Sequence, residues 1–255
     1  MPSEPPRPDD GAAQPRSLNQ VATPRPASTI MLLRDGAAGL EVFMVVRNHA
    51  IDFAGGAMVF PGGRVDDADA ALGDPFRIAA IREAFEETGV LLARRGGAML
   101  GAHDLPREPP FASLLAEHGL QPATDALHHF AHWITPADMP KRFDTHFFAA
   151  HTPAAQLARH DGGEAVEGIW INPMQAVRAG DEGRATLVFA TRLNLLRLAR
   201  HKRADHVLAD AAPVVTVQPV PYTADDGSKW IRIPEEAGYG MTDYKAVTRP
   251  MKPIS

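Results

Sequence analysis

The residues of this chain best equipped for chemistry lie in the run Arg82-Glu83-Ala84-Phe85-Glu86-Glu87-Thr88-Gly89-Val90. On a helix Glu83, Glu86 and Glu87 stand at i, i+3 and i+4, so their carboxylates leave one face while Phe85 points elsewhere. Carboxylates packed so closely repel one another, and a divalent cation offsets that repulsion. Oxygen-only donors select hard ions, Mg2+ or Mn2+, over zinc, and magnesium shares its shell with waters and substrate phosphate. Such an ion neutralises phosphate charge, orients the phosphate and acidifies a bound water. Taken alone, a charge run like this is usually a solvated helix face. Its position after a strand and the Gly62-Gly63 loop gives it more weight, because loop backbone and helix carboxylates can then face one phosphate-sized space.

The elements that must hold these groups can be read around them. Residues 29–34 and 40–47 are β-rich runs separated by Asp35-Gly36 and predict a strand pair. A third strand, 57–60, runs into Pro61-Gly62-Gly63, where glycines permit a turn that side chains would obstruct. After the acidic loop Asp66-Asp67-Ala68-Asp69, Asp74-Pro75 predicts an N-cap followed by proline in the first helical turn. The helix should cover about 75–88, bury Ile78, Ile81 and Phe85, and end at Gly89.

Residues 96–132 are looser and carry two helix-like stretches, near 111–118 and 123–132, which together predict an inserted helical subdomain. Strands are expected at 133–135, 144–149 and 167–171, and an amphipathic helix at about 186–202. A terminal hairpin is expected from 214–217 and 229–233 around Asp225-Asp226-Gly227. This order of elements implies an α+β domain over 29–240, with α and β layers packed together and a C-terminal extension. Residues 1–28, rich in proline, read as a disordered tail, and 241–255 as a C-terminal tail.

Composition narrows the function classes. A formal net charge of -5 leaves no basic footprint for a long nucleic acid. The chain has no cysteine, which excludes disulfides, thiolate metal sites and cysteine nucleophiles. No apolar run approaches the roughly 18 to 20 residues of a membrane helix. Glu4, Asp9 and Asp10 argue against an organellar transit peptide, so the expected location is the cytoplasm. A homodimer is compatible with the sequence. His128, His129 and His132 include an i, i+4 pair of the kind that binds zinc, but no third ligand is evident from the sequence.

Gly63, Arg82-Glu83, Glu86-Glu87, Gly89 and Val90 resemble the Nudix box, G-x5-E-x7-R-E-U-x-E-E-x-G-U, in which U is aliphatic. The helix half matches with Ala84 at the U position. In the loop half Asp69 comes six residues after Gly63, where the family has glutamate, but Arg82 comes thirteen residues after Asp69 rather than eight. A five-residue insertion explains this spacing; alternatively Asp74, eight residues before Arg82, takes the glutamate's register. Asp74 also reads as the helix N-cap.

The resemblance implies a Nudix-type α/β/α sandwich with a mixed sheet, acting as a metal-dependent hydrolase on a phosphate anhydride. It implies Glu86 and Glu87 as Mg2+ or Mn2+ ligands, Glu83 as a third ligand or as the base that orients water, and Arg82 as the ion-pair partner of a box glutamate. Gly62 and Gly63 would form the phosphate loop. A further acid from a later loop is implied, with Glu164 and Glu167 as candidates.

Phe60-Pro-Gly-Gly63, the lengthened loop, Trp133-Ile-Thr-Pro136 and Arg142-Phe-Asp-Thr-His-Phe-Phe148 are similar to the subgroup containing peroxisomal acyl-CoA diphosphatases. The implied substrate is the diphosphate of CoA or acyl-CoA, with an ADP-sugar or dinucleotide as the alternative, because Asp52 stands where the CoA pattern has arginine. A nucleotide-sensing protein without turnover is the rival from another class. It would not need all three helix acids.

Overall fold

The computed structural model describes residues 21–47, 57–158, 165–210 and 212–245. Strand β1 (Arg25–Gly36) starts at Arg25 rather than at the expected Thr29. Ala27 and Ser28 are already buried there, and the Ser28 hydroxyl donates to the Phe76 carbonyl at 2.7 Å. Ile30, Met31, Leu32 and Leu33 are all fully buried, the mark of a central strand covered on both faces. β2 (Gly39–Arg47) returns antiparallel to it, followed by the short β3 (Met58–Val59) and β4 (Gly62–Arg64).

A 3-10 turn over Asp67–Ala71 leads into α1 (Pro75–Thr88). The helix has the bounds its capping residues predict. The Asp74 side chain accepts from the amides of Phe76 and Arg77 at 3.0 and 3.2 Å, Pro75 fills the first turn, and Gly89 at φ 74 closes the last.

β5 (Ala93–Arg95), β6 (Ala98–Met99), α2 (Phe111–Glu117) and β7 (Gln121–Pro122) follow, and then β8 (His128–Ile134), β9 (Phe143–His151) and β10 (Ala165–Ile171). The second helix expected at 123–132 does not form. Thr124–Ala126 makes one 3-10 turn, and His128–Ile134 pairs antiparallel with β9. Phe130 and Trp133 gain burial in the sheet, so tertiary pairing overrides a weak local helix preference. The insert therefore holds a single helix among the described residues.

After β10 come α3 (Pro173–Asp181), α4 (Phe189–Leu198) and α5 (Ala204–Leu208), then β11 (Thr216–Val217), β12 (Val220–Thr223), β13 (Lys229–Arg232) and β14 (Asp243–Lys245). α4 is the helix expected at 186–202, shorter at both ends. α3 was not foreseen, although Asn172-Pro173 repeats the cap-and-proline signal of α1. The hairpin forms around Asp225-Asp226-Gly227, but its first strand is β12. Val217 instead joins β8 in parallel through β11. Order continues into the expected C-terminal tail as β14, paired with β13.

The main sheet runs β10-β2-β1-β9-β8-β11, with β3 added to β2 and β4 to β1. β1 pairs parallel with β9, so the sheet is mixed. One face packs Ile30, Leu32, Phe43 and Val45 against α1 and α2. The other packs Met31, Leu33, Val42 and Met44 against α3, α4 and α5. This is the α/β/α sandwich that the resemblance implies. Gln156 ties the α2 layer down: it accepts from the Leu91 amide at 2.8 Å and donates to the carbonyls of Leu91 and Leu100 at 3.0 and 2.9 Å. Among the described residues no helix is long and apolar enough to cross a membrane.

Candidate active site

Two elements converge on the site. β4 pairs antiparallel with β1, placing Gly62 opposite Thr29 and Gly63 opposite Ser28. α1 packs across both strands. A Cβ at Gly62 would strike the backbone of Ser28 and Thr29, so this close approach requires glycine. A Cβ at Gly63 would fall on the Glu83 carboxylate, which occupies the space the missing side chain leaves. The Gly62 amide donates to Glu87 Oε2 at 3.2 Å, joining loop backbone and helix face directly.

Arg82 organises the acids. Its Nε and a terminal nitrogen bind Asp69 through two contacts of 3.0 and 3.1 Å. The same guanidinium reaches Glu83 at 2.8 Å, Glu86 at 3.0 Å and the Arg64 carbonyl at 2.8 Å. Burial works against its charge, but Asp69, Glu83 and Glu86 outweigh that effect and hold its pKa above the ordinary arginine range. The Glu86 carboxyl is pushed up, chiefly by burial, against the pull of Arg82. With three carboxylates on one guanidinium, the cluster keeps an excess of negative charge.

The two candidate aspartates separate cleanly. Asp69, 2% exposed, receives Arg82 and also accepts from the Asp66 amide at 2.8 Å. Asp74 caps α1. Glu167 lies in β10, but its side chain falls outside the described residues, as does Glu164 entirely.

Glu83, Glu87, Gly62, Gly63, Arg64 and Asp66 line one end of a cleft of about 1070 Å³. Glu86 is turned toward Arg82 instead. The remaining lining is largely apolar and includes the aromatic residues Trp133, Phe143, Phe147, Phe189, Tyr222 and Trp230, together with the cations Arg25, Lys141 and Lys229. Arg142 stays out of the cleft, bound to the carbonyls of Thr135 and Ala22 at 3.1 and 2.8 Å. Trp170 packs on Phe43 and under Arg34 instead. Tyr222, Lys229 and Trp230 come from the separate C-terminal sheet, and Arg25 from the strand start that the sequence reading placed in the tail. Sequence reasoning missed these four. The only signal for them was the aromatic residue in the expected hairpin.

The donor set fits a hard divalent cation. Its atoms are carboxylate oxygens, those of Glu83 and Glu87 face the cleft with Glu86 beside them on Arg82, and Gly63 leaves room for Glu83.

The fold is that of Nudix-type domains. The family model of the NUDT19 Nudix domain matches residues 73–190. A putative nudix hydrolase 7 of Caenorhabditis elegans is 35% identical over 178 residues, which is 65% of this chain and 58% of that protein. Human acyl-coenzyme A diphosphatase NUDT19 is 34% identical over 125 residues, 41% of this chain and 33% of that protein. Among solved structures, a NUDIX hydrolase from Alicyclobacillus acidocaldarius superposes with a TM-score of 0.69 at 26% identity, covering 74% of this chain and 97% of that one. Over these residues the chain is similar in sequence to Nudix hydrolases, and it shares their fold. It spans little more than half the length of the first curated relative and a third of the second.

Proposed function

We propose that the chain hydrolyses the diphosphate linkage of a nucleotide derivative, with CoA or acyl-CoA as the substrate class. The observation that carries this reading is the cleft itself, with the Glu83 and Glu87 carboxylates against the Gly62-Gly63 loop at one end and a largely apolar lining with aromatic residues along the rest. CoA combines a diphosphate with an adenine and a long, thin, partly apolar arm, and those parts suit such a cleft. The relative named acyl-CoA diphosphatase supports the same class.

Glu83, Glu86 and Glu87 would hold a divalent cation, Mg2+ or Mn2+, which when bound neutralises phosphate charge and makes a water more acidic. The protein's own residues do the rest. Asp69 fixes Arg82, and Arg82 fixes Glu83 and Glu86. The Gly62-Gly63 turn brings backbone close to the phosphate end, and Arg25, Arg64, Lys141 and Lys229 add positive charge along the path. In the reaction a water oxygen bonds to one phosphorus and the bridging P–O bond breaks. Its electron pair leaves with the departing phosphate, and the proton of the water passes to a carboxylate of the cluster, for which Glu83 is the best placed.

The test is Glu86→Gln in the full chain, assayed against CoA, ADP-ribose, a diadenosine polyphosphate and NADH with Mg2+ or Mn2+. Loss of hydrolysis with an unchanged circular dichroism spectrum is expected, and the parent should prefer CoA. Undiminished turnover by the variant would overturn the ligand assignment; a preference for ADP-ribose would overturn the substrate class.

A further inference from the structure

A second group of ligating side chains lies on the opposite face of the sheet from the cleft. In β8 and β9, Trp133 and Thr145 are paired and line the cleft, so the alternation of strand side chains turns His132 and His146, the next pair, toward the α1 side. The ladder is irregular between His129 and Ala131, where one extra residue, Phe130, enters β8. Without that bulge His129 and His132 would point to opposite faces. With it, His129 opposes Phe148, His132 opposes His146, and all three histidines meet on one side. Asp144, two residues before His146 on the same strand, joins them.

We propose that His132, Asp144 and His146 form a binding site for a borderline transition-metal ion of the Zn2+ class, separate from the carboxylate site on α1. One ligand atom from each of the three lies within 4.8 Å of the others, so modest side-chain rotation brings them onto a common ion. Two imidazoles and one carboxylate are the donor set such ions take, in contrast to the oxygen-only set around Arg82.

The surroundings orient the donors. His132 Nδ1 is engaged by the Thr216 hydroxyl at 2.8 Å, which leaves Nε2 as the ligating nitrogen, and this atom already faces Asp144. His146 Nδ1 is engaged by His129 Nε2 at 3.1 Å, so its other nitrogen is the one to bind. A hydrogen bond on the far nitrogen of each ring is the arrangement that fixes metal-ligating histidines. Nearby, Asp74 contributes negative charge and Arg77 positive charge, and the ring of Phe76 covers His146 at 4.1 Å. The side chains of His132 and Asp144 are 17% and 33% exposed, so an ion can enter and a water can complete its shell. Bound there, the ion would tie β8, β9 and, through Thr216, β11 together.

The experiment uses the full chain with Mg2+ saturating the carboxylate site. Isothermal titration with Zn2+ is expected to show one further site per chain with micromolar or tighter affinity. Co2+ should give the strong visible absorption of a low-coordinate, nitrogen-bound ion. His132→Gln, Asp144→Asn and His146→Gln should each weaken binding by more than tenfold. Thr216→Val, which leaves every ligand in place, should weaken it by roughly 10- to 100-fold. Glu86→Gln should leave the Zn2+ affinity unchanged. Absence of Zn2+ binding by the parent below millimolar concentration would overturn the proposal, as would binding that Thr216→Val and His132→Gln leave intact but Glu86→Gln removes. The parent titration and the Thr216 variant keep the test decisive if a histidine variant fails to fold.

Discussion

Gly63→Ala isolates the geometry of the site from the stability of the fold. A Cβ built at this position lies 2.6 Å from Glu83 Cδ and 2.8 Å from its Oε2, whereas ordinary contact begins at 3.4 Å. Glu83 Oε1 is nearer still, so the carboxylate must retreat by more than 0.8 Å, the difference between 3.4 and 2.6. The obstacle is the end of a side chain and not backbone, and no left-handed conformation is required of residue 63, so the fold should tolerate the change. Misplacing a catalytic group by roughly 1 Å costs on the order of 100-fold in rate. Steady-state hydrolysis of CoA should show kcat lowered by about that factor, with a melting temperature within a few degrees of the parent. Gly62→Ala provides the contrast, because its Cβ meets the Ser28 and Thr29 backbone and should lower stability as well as rate. A Gly63→Ala enzyme within threefold of the parent would refute the idea that Glu83 must occupy this space.

Three further outcomes follow from the same contacts. Arg82→Ala leaves the buried Asp69 without its cation and should cost about 3–5 kcal/mol in urea unfolding, and a loss below about 1 kcal/mol would contradict the role assigned to the pair. Gln156→Leu strands the Leu91 amide and the carbonyls of Leu91 and Leu100, for an expected loss of roughly 2–4 kcal/mol in the same assay. Tyr239 is buried, accepts from Trp133 Nε1 at 3.0 Å and donates to Asn194 at 2.7 Å, and burial pushes its phenol up to about 12. The unfolded chain ionises this group near pH 10 while the folded chain holds the proton. Its stabilisation is thus complete below pH 10 and lost between about pH 10 and 12, on the order of 2–3 kcal/mol. Thermal unfolding across that range should steepen with pH in the parent and less so in Tyr239→Phe.

Much of α1 was legible because its signals are local. Asp74-Pro75 caps and starts α1, Gly89 ends it, and helical spacing alone puts Glu83, Glu86 and Glu87 together. The strand pair over 29–34 and 40–47 was legible for a similar reason, since two β-rich runs flank the local turn signal Asp35-Gly36. Where pairing partners are distant, the same reading failed. The stretch 123–132 carried a weak helical pattern that β9 overrode, and Val214–Val217 could not reveal that it would meet β8 and leave β12 to form the hairpin.

The sequence by itself therefore determined the grouping of three acids on one helical face behind a two-glycine turn, because covalent spacing and the 3.6-residue turn set it. Only the tertiary structure decided which aspartate serves Arg82. Both Asp69 and Asp74 precede it on the chain, and only the buried approach of the 3-10 turn brings Asp69 to the guanidinium while Asp74 is used by the helix amides. It also decided that the C-terminal sheet walls the cleft and that His132 meets Asp144 and His146. Those contacts depend on strand register and on one bulge, which long-range packing sets and no local run of residues encodes.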